Sequence, residues 1–184
     1  GRLEQTYPGM TVLNHEWDKP ETFVTLGTIS AERVAELSEG LLAVEASVSL
    51  NRCVIEHDVC LVIGPVFPHE VVGFSGGNKY FFPGISGPEV LHFFHWLGAV
   101  ITNPRIIGTK WTPVRKVIDR VAAMIPARRL ACCMVVEQGG LAGLYAGTPE
   151  EAWSAAADLS AQLHVTRTER AYHTVLSCAP PMYD

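Results

Sequence analysis

The hydrophobic pattern of this chain alternates between short apolar runs and longer segments in which apolar residues recur every three or four positions. The short runs are rich in β-branched and aromatic residues, which is typical of strands. The longer segments have one apolar face, which is typical of helices packed on a core. Strands are predicted at residues 22–28, 59–63, 130–136, 141–145 and 174–178, and helices at residues 31–37, 88–100, 113–125 and 149–163.

This order of elements predicts an α/β domain of three layers, with helices packed on a mixed, partly parallel sheet. Residues 41–50 alternate poorly and are compatible with a strand or with mixed structure. Residues 130–145 are predicted to form a β-hairpin that turns at residues 137–140. We expect residues 1–184 to form a single domain, because no repeat, low-complexity tract or linker interrupts them.

The predicted helices begin at hydroxyl residues, whose side chains can accept hydrogen bonds from the first free backbone N–H groups of a helix. Two of these hydroxyl residues are followed three positions later by a glutamate, which is the spacing of a capping box. The predicted N-caps are Ser30, Ser86, Thr112 and Thr148, with Glu89 and Glu151 as the capping-box partners.

Two of the helices have faces of clearly different character. Helix 88–100 is predicted to bury one face and to present another that carries two histidines. Charged residues on helix 113–125 are expected on its solvent side. The buried face of the first helix is Val90, Phe93, Phe94 and Leu97, its other face holds His92, His95, Trp96 and Ala99, and the charged residues of the second are Arg115, Lys116, Asp119 and Arg120.

A glycine-rich loop follows the apolar run at residues 59–63, which is predicted to be a buried parallel strand. Residues 68–84 cannot sustain a helix or strand, because glycines and a proline recur through them. Ligands collect at the C-terminal ends of strands in open α/β sheets, and the loop leaves from such an end. Ser75, Gly76 and Gly77, with Lys79, could bind an anion or a cofactor closely. The alternative is that Gly76-Gly77 forms only a tight turn.

Three more side chains make the loop and the following helix a candidate site. His69 precedes the glycines, and His92 and His95 lie on one face of the helix that follows. Histidines can bind metals or exchange protons near neutral pH, and a lysine can act as a nucleophile. The alternative is that these histidines have only structural or surface roles.

A second interpretation of the loop is a serine hydrolase. Residues 73–77 match the G-x-S-x-G pattern that places a nucleophilic serine, here Ser75, on a strained turn. That pattern requires a strand leading in and a helix leading out. Here Pro68 shortens the strand and Pro83-Gly84 interrupts the exit, so the context is unfavourable.

The same residues resemble the nickel-pincer lactate racemases and their 2-hydroxy-acid racemase and epimerase relatives. The family pattern is a histidine, a Gly-aromatic-Ser-Gly-Gly-x-Lys run, a Pro-Gly, and a histidine on the next helix. His69, residues 73–79, Pro83-Gly84 and His95 fall on it in order, with ten positions from His69 to Lys79 and sixteen from Lys79 to His95.

The resemblance implies a mechanism and a cofactor. Lys79 would be the attachment point of a pyridinium-type mononucleotide that holds nickel through one carbon and two sulfur atoms, and His95 would complete the nickel shell, with His92 as its competitor. His69 would be one of two acid/base histidines, so His69 and Lys79 are the expected catalytic residues. Hydride transfer from the α-carbon, with proton transfer to histidine, would racemise a lactate-like 2-hydroxy acid. Accessory maturation enzymes would supply the cofactor.

The sequence also departs from the family pattern. Asn78 stands where the resemblance leads us to expect arginine, so a charge is missing beside the attachment site. The second acid/base histidine and the substrate-binding arginine of the family are expected upstream of Gly1. His15 and Asp18 belong to a run resembling a family Asn-His-Asp segment. We expect structural roles for both, and the alternative is that they lie near the site. The chain is therefore expected to be a piece of a longer N-terminal catalytic domain.

Composition narrows the functional classes. A net charge of −5 without a basic run argues against nucleic acid and anionic membranes as partners. Five cysteines without a C-x-x-C pair predict neither a disulfide framework nor a zinc knuckle, and no apolar stretch is long enough to span a bilayer. A cytoplasmic protein that handles a small molecule is expected. A non-catalytic binding or assembly domain that keeps the fold is the alternative to the racemase.

Overall fold

The computed structural model describes residues 5–170 and 172–176 of the chain. Its strands agree closely with the apolar runs of the sequence. In chain order they are β1 (Phe23–Ile29), β2 (Ala46–Asn51), β3 (Val59–Pro65), β4 (Pro68–His69), β5 (Gly73–Phe74), β6 (Arg128–Glu137) and β7 (Gly140–Gly147).

The helices occupy the segments with helical periodicity, and two additional short α-helices lie between them. The α-helices are α1 (Ala31–Leu37), α2 (Arg52–Ile55), α3 (Pro88–Ile101), α4 (Asn103–Ile106), α5 (Pro113–Ala122) and α6 (Pro149–His164). Two 3₁₀ turns span Pro20–Thr22 and Gly77–Tyr80. The second of these turns carries Lys79.

The main sheet is mixed. Strand β3 pairs with β6 in parallel, and β6 pairs with β7 in the predicted antiparallel hairpin. Strands β1 and β2 form a separate antiparallel pair, as do β4 and β5. The predicted α/β class with a mixed, partly parallel sheet is therefore confirmed. The glycine-rich loop does leave the C-terminal end of β3.

Two apolar clusters hold these elements together. Helices α3 and α5 contribute Phe94, Leu97 and Ile118, all fully buried, to the larger cluster. Helix α6 packs on β6 and β7, and its Trp153 is the largest side chain of the smaller cluster. The loop that carries Lys79 lies where the two clusters meet, because Val72 belongs to the first and Phe74 to the second.

The prediction that β3 is buried is wrong. Val59, Leu61 and Ile63 are 52%, 53% and 62% exposed, because β3 is an edge strand whose alternate side chains lie on an uncovered face of the sheet. Cys60 and Val62, which point to the other face, pack against the larger cluster. Among the described residues, no helix covers the face of the sheet that carries Val59, Leu61 and Ile63.

Three of the four predicted N-caps are confirmed, since Ser30, Thr112 and Thr148 each accept a hydrogen bond from the expected backbone N–H. The prediction for Ser86 is wrong, because α3 is capped by Gly87 without a side-chain bond. Ser86 is instead drawn into a bridge with Leu50 of β2, and its hydroxyl donates to the carbonyl of Pro83 at 3.3 Å.

The prediction of a fully solvated charged face on α5 is also wrong. Lys116 and Arg120 are exposed, but Arg115 is only 1% exposed and Asp119 is partly buried. The predicted final strand is not found at residues 174–176, and residues 177–178 lie outside the described residues. Among the described residues, no helix has the length and apolarity needed to cross a membrane.

Candidate functional site

A cavity of about 400 Å³ lies beside the glycine-rich loop. It is bounded by β4, the turn that carries Lys79, the first turns of α3 and the segment around His15. The side chains with possible chemistry in its lining are His15, His69, Glu70, Lys79 and His95. The structure thus brings together three residues that the sequence singled out, although ten and sixteen positions separate them. His92 is not among the lining residues.

His95 is oriented by the backbone of its own helix. Its Nδ1 lies 2.8 Å from the carbonyl oxygen of Leu91. A carbonyl can only accept a hydrogen bond, so Nδ1 must carry the proton. In the neutral ring the lone pair is therefore on Nε2, which is the form in which histidine binds a metal.

Lys79 extends from the turn Gly77–Tyr80 into the cavity lining and is partly buried. Burial lowers the pKa of its amine, and the positive charge of Arg115 lowers the pKa further, while Glu70 raises it. A larger fraction of the amine is therefore neutral near pH 7 than for an exposed lysine. A neutral amine is the nucleophilic form of lysine.

His69 on β4 is neutral over most of the physiological range. Burial is the main cause that lowers the pKa of His69 to about 4, and the charge of Lys79 is the next. Its Nδ1 accepts a hydrogen bond from the backbone N–H of Val71 at 3.1 Å, so the proton of the neutral ring is on Nε2. The 3.4 Å contact between Nδ1 and Glu70 Oε2 is consequently not an ion pair at pH 7.

His15 also lines the cavity, although the sequence analysis favoured a structural role for it over a place near the site. Asn51 fixes this ring: its Oδ1 accepts from the N–H of Cys53 at 2.9 Å, so its Nδ2 donates to His15 Nδ1 at 3.0 Å. The neutral His15 ring then carries its proton on Nε2. The Asn14-His15 pair was the signal that could have identified it. Asp18 is not part of this lining.

The glycines of the loop pack against protein. Gly76 and Gly77 have φ of +84° and +59°, and neither lines the cavity. A Cβ on Gly76 would lie 2.6 Å from a methyl group of Val66, and one on Gly77 would lie 2.8 Å from the Cβ of Trp153. The close approach that these glycines permit is therefore that of Val66 and Trp153 to the loop.

Ser75 is occupied by backbone hydrogen bonds. Its Oγ accepts from the N–H of Phe67 at 2.9 Å and donates to the carbonyl of Pro65 at 3.3 Å. A serine nucleophile requires a base within hydrogen-bonding reach. The hydroxyl has no histidine partner among the described residues, so the geometry does not favour the hydrolase interpretation.

Two residues that the sequence analysis did not assign to the site hold the glycine-rich loop in place, and neither of them lines the cavity. The guanidinium of Arg115 donates to the carbonyls of Phe74 at 2.5 Å and Gly76 at 3.3 Å. The indole N–H of Trp153 donates to the carbonyl between them, that of Ser75, at 2.9 Å. The guanidinium lies 4.0 Å above the ring of Trp153. Three consecutive carbonyls are thus held by two side chains that are themselves stacked.

Asn78 does not face the cavity and is only 1% exposed. Its Nδ2 donates to Asp119 at 3.0 Å and to Glu150 at 2.8 Å, and its Oδ1 accepts from Arg129 at 2.7 Å. Burial would raise the pKa of Glu150, but the hydrogen bonds from Asn78 and Arg129 outweigh it and lower that pKa. Asn78 therefore belongs to a buried polar cluster behind the turn, and its neutrality does not remove a charge from the cavity.

The described side chains alone do not form a metal centre. Within residues 5–170 and 172–176, no group of three or more histidine, cysteine, aspartate or glutamate side chains is arranged to hold a metal ion. A metal bound at His95 would need further ligand atoms from a bound group.

Comparisons with known proteins give the family. A family model described as the lactate racemase N-terminal domain matches residues 4–107. No curated protein matches the chain. A crystal structure of a Thermotoga maritima protein, determined by the Northeast Structural Genomics Consortium, is similar with a TM-score of 0.77 and 37% identity, and the match covers 86% of this chain and 40% of that one.

A second solved structure, the lactate racemase apoprotein from Thermoanaerobacterium thermosaccharolyticum, shares the fold at 19% identity with a TM-score of 0.66. That match covers 85% of this chain and 34% of the racemase. The chain therefore spans less than half the length of either solved relative. Because the family model matches more than half of its residues, this chain belongs to the lactate racemase N-terminal domain family.

Proposed function

We propose that the full-length protein is a racemase or epimerase of a lactate-like 2-hydroxy acid that uses a nickel-pincer nucleotide attached to Lys79. The observation that carries this proposal is the shared cavity of His69, Lys79 and His95. Family membership supports the class of reaction. The spacing of the three residues along the chain is explained if all three belong to one site.

The residues present fit such a cofactor. The partly buried amine of Lys79 has a lowered pKa, which favours the neutral form that attachment requires. His95 offers Nε2 as a metal ligand because its Nδ1–H is bound to Leu91. The cavity, at about 400 Å³, lies within the usual range of about 300–1,000 Å³ for small-molecule sites. When bound, the cofactor would supply a hydride acceptor that also returns the hydride.

In the neutral ring of His69, Nε2 carries the proton and would donate a hydrogen bond to the substrate, because Nδ1 accepts from Val71. To take the proton of the substrate hydroxyl at Nε2, the ring would adopt the other tautomer, with its proton on Nδ1, which lies 3.4 Å from Glu70 Oε2. The burial that keeps this ring neutral also removes water, which strengthens its interaction with a polar substrate. His15 is the second histidine in the lining, with Nδ1 bound to Asn51. A second proton-exchanging residue is needed, because a base on each side of the substrate treats both enantiomers alike, and the resemblance leads us to expect it in another part of the full-length protein.

The cavity lining includes apolar side chains that would contact the carbon atoms of a small acid. Val71, Val72 and Leu91 contribute apolar wall to the cavity. The positive charge needed by a substrate carboxylate is supplied by Lys79 only before attachment, so the carboxylate would be bound by another part of the full-length protein. A cytoplasmic location and dependence on maturation enzymes belong to the same proposal.

The test is racemisation by the full-length protein co-expressed with nickel-pincer maturation enzymes. We expect interconversion of the enantiomers of at least one short 2-hydroxy acid in a chiral chromatography assay. Intact mass and metal analysis should give a modification at Lys79 and stoichiometric nickel. Lys79→Ala should abolish all three signals, and the surface control Lys116→Ala should keep them.

Two outcomes would contradict the proposal. Racemisation that is unchanged in Lys79→Ala would exclude the assigned site. An unmodified Lys79 without nickel, under conditions in which a known family member is loaded in parallel, would support a non-catalytic binding or assembly domain instead.

A further inference from the structure

Arg115 is a buried cation that forms no ion pair with the part of the chain that the structure describes. It is 1% exposed, and none of the ion pairs formed within residues 5–170 and 172–176 includes it. Asp119, one helical turn away on α5, is instead hydrogen-bonded to Asn78. The Nε of Arg115 is buried without a hydrogen-bond partner. A charge in this environment is costly to the folded state.

Hydrogen bonding to carbonyls alone does not require this charge. The neutral indole of Trp153 binds the carbonyl of Ser75 at 2.9 Å, in the same loop and from the same side. A neutral donor at position 115 could bind the carbonyls of Phe74 and Gly76 in a similar way. The buried guanidinium therefore adds a positive charge beside the loop that hydrogen bonding to these carbonyls does not require.

The guanidinium shares a hydrogen-bond acceptor with the lysine of the site. The carbonyl of Gly76 accepts from Arg115 Nη1 at 3.3 Å and from the backbone N–H of Lys79 at 3.2 Å. Gly76 is also the N-cap of the turn Gly77–Tyr80. Arg115 thus contacts the residue that begins the turn, and Lys79 lies within that turn.

We propose that Arg115 is a positioning residue for Lys79, which holds the start of its turn through Gly76 and places a permanent positive charge behind its amine to keep the amine reactive. This inference rests on the proposed role of Lys79 as the attachment point. It concerns the reactivity of the amine before any cofactor is present.

The charged groups near Lys79 act on the pKa of its amine in opposite directions. After burial, Arg115 is the principal cause that lowers the pKa of Lys79, and Glu70 acts against it. His69 faces the same amine, but it is neutral near pH 7 because its own pKa is about 4. Burial lowers the pKa of Arg115 to about 10, so the guanidinium remains charged where lysine reactivity is measured.

The experiment measures amine reactivity in the cofactor-free full-length protein. Trinitrobenzenesulfonate labelling is followed at several pH values, and peptide mass spectrometry gives separate rates for Lys79 and for the exposed Lys116 of α5. We expect Arg115→Met to raise the midpoint of the Lys79 profile by about one pH unit, and to slow its labelling about tenfold near pH 7.5. Arg115→Lys keeps the charge, so its Lys79 midpoint should lie close to that of the unsubstituted protein.

Arg129→Met is the matched control. Arg129 also contacts this turn, but through Asn78, and it is paired with Glu150 at 2.8 Å. The control should leave the Lys79 midpoint unchanged. A lost hydrogen-bond clamp alone would affect Arg115→Lys and Arg115→Met equally, and that result would overturn the electrostatic role. An unchanged midpoint in folded Arg115→Met would overturn it as well.

The unsubstituted protein provides a test that does not depend on the folding of a variant. Its Lys79 midpoint must lie below that of Lys116, and equal midpoints would overturn the inference. The outcome is separable from that of the proposed function. If Lys79→Ala abolishes racemisation while Arg115→Met leaves the labelling profile unchanged, only the role of Arg115 fails; if Lys79→Ala retains racemisation, the proposed function fails whatever the labelling shows.

Discussion

Asn78 and Lys79 are adjacent in one 3₁₀ turn, yet their side chains lie on opposite sides of it. The Asn78 amide is enclosed by Asp119, Glu150 and Arg129, while Lys79 lines the cavity. Partners from α5, α6 and β6 thus converge on the residue next to the lysine. Asn78 therefore occupies the buried side of the turn, and Lys79 the side of the cavity.

We expect Asn78→Ala to destabilise the protein by about 1–3 kcal/mol, because it leaves three partly buried polar partners without a hydrogen-bonding amide. The free energy of unfolding is measured by urea denaturation at pH 7. The control is Asn14→Ala, which changes an exposed asparagine and should have little effect. Equal stability of the two variants would contradict the role of the buried cluster.

Gly77→Ala and Gly139→Ala separate backbone strain from packing. Both glycines have positive φ, at +59° and +78°, but only Gly77 has protein where a Cβ would be, with Trp153 at 2.8 Å. Gly139→Ala should cost about 1–2 kcal/mol from strain alone. Gly77→Ala should cost about 1–3 kcal/mol more through overpacking. Thermal and urea denaturation of both variants would test this, and equal losses would show that Trp153 moves freely aside.

His95→Ala and His92→Ala should differ in nickel content. His95 lines the cavity with Nε2 available, whereas His92 lies on α3 outside the lining. In full-length protein loaded by the maturation enzymes, His95→Ala should lower nickel retained after dialysis by about tenfold or more. His92→Ala should retain nickel as the unsubstituted protein does. The reverse result would transfer the ligand role to His92.

His69 should make the protein less stable as the pH falls. The pKa of His69 is about 4 in the folded protein, against 6.5 for an unperturbed histidine, which represents the unfolded chain. Between pH 4 and 6.5 the unfolded chain therefore binds more protons at this residue than the folded protein does. Each pKa unit corresponds to about 1.4 kcal/mol, and the full difference to about 3 kcal/mol, lost as the pH falls from about 6.5 to 4.

The measurement is the free energy of unfolding of the protein and of His69→Gln between pH 4 and 7. The variant should lack this part of the pH dependence, although other groups still titrate in both proteins. His92→Gln, which changes an exposed histidine, should follow the unsubstituted protein. Parallel curves for the protein and His69→Gln would show that His69 is not neutralised by burial.

A fluorophosphonate probe should not label Ser75, because its hydroxyl is bonded to the backbone of Phe67 and Pro65 rather than to a base. Ser75→Ala should lower stability by about 1 kcal/mol through the loss of these bonds. Labelling is read by mass spectrometry with a known serine hydrolase as positive control. Modification of Ser75 would restore the hydrolase interpretation.

Local patterns determined much of this protein. The bounds of α1 and the hairpin of β6 and β7 follow from periodicity and turn residues, because neighbouring positions alone specify them. The positions of His69, Lys79 and His95 relative to the glycines were also present in the sequence. Their order along the chain predicted a common site, and the structure places all three on one cavity.

Tertiary structure decided what surrounds these residues. Arg115 follows a helical pattern that predicts solvent exposure, and only the packing of α5 under a loop about forty positions earlier buries it. Asn78 and Trp153 likewise find partners up to about eighty positions away. The exposure of β3 depends on which face of the sheet is covered, and periodicity cannot show this for a continuous apolar run. The sequence determined which groups could form the site, whereas contacts between distant segments determined their orientation and charge state.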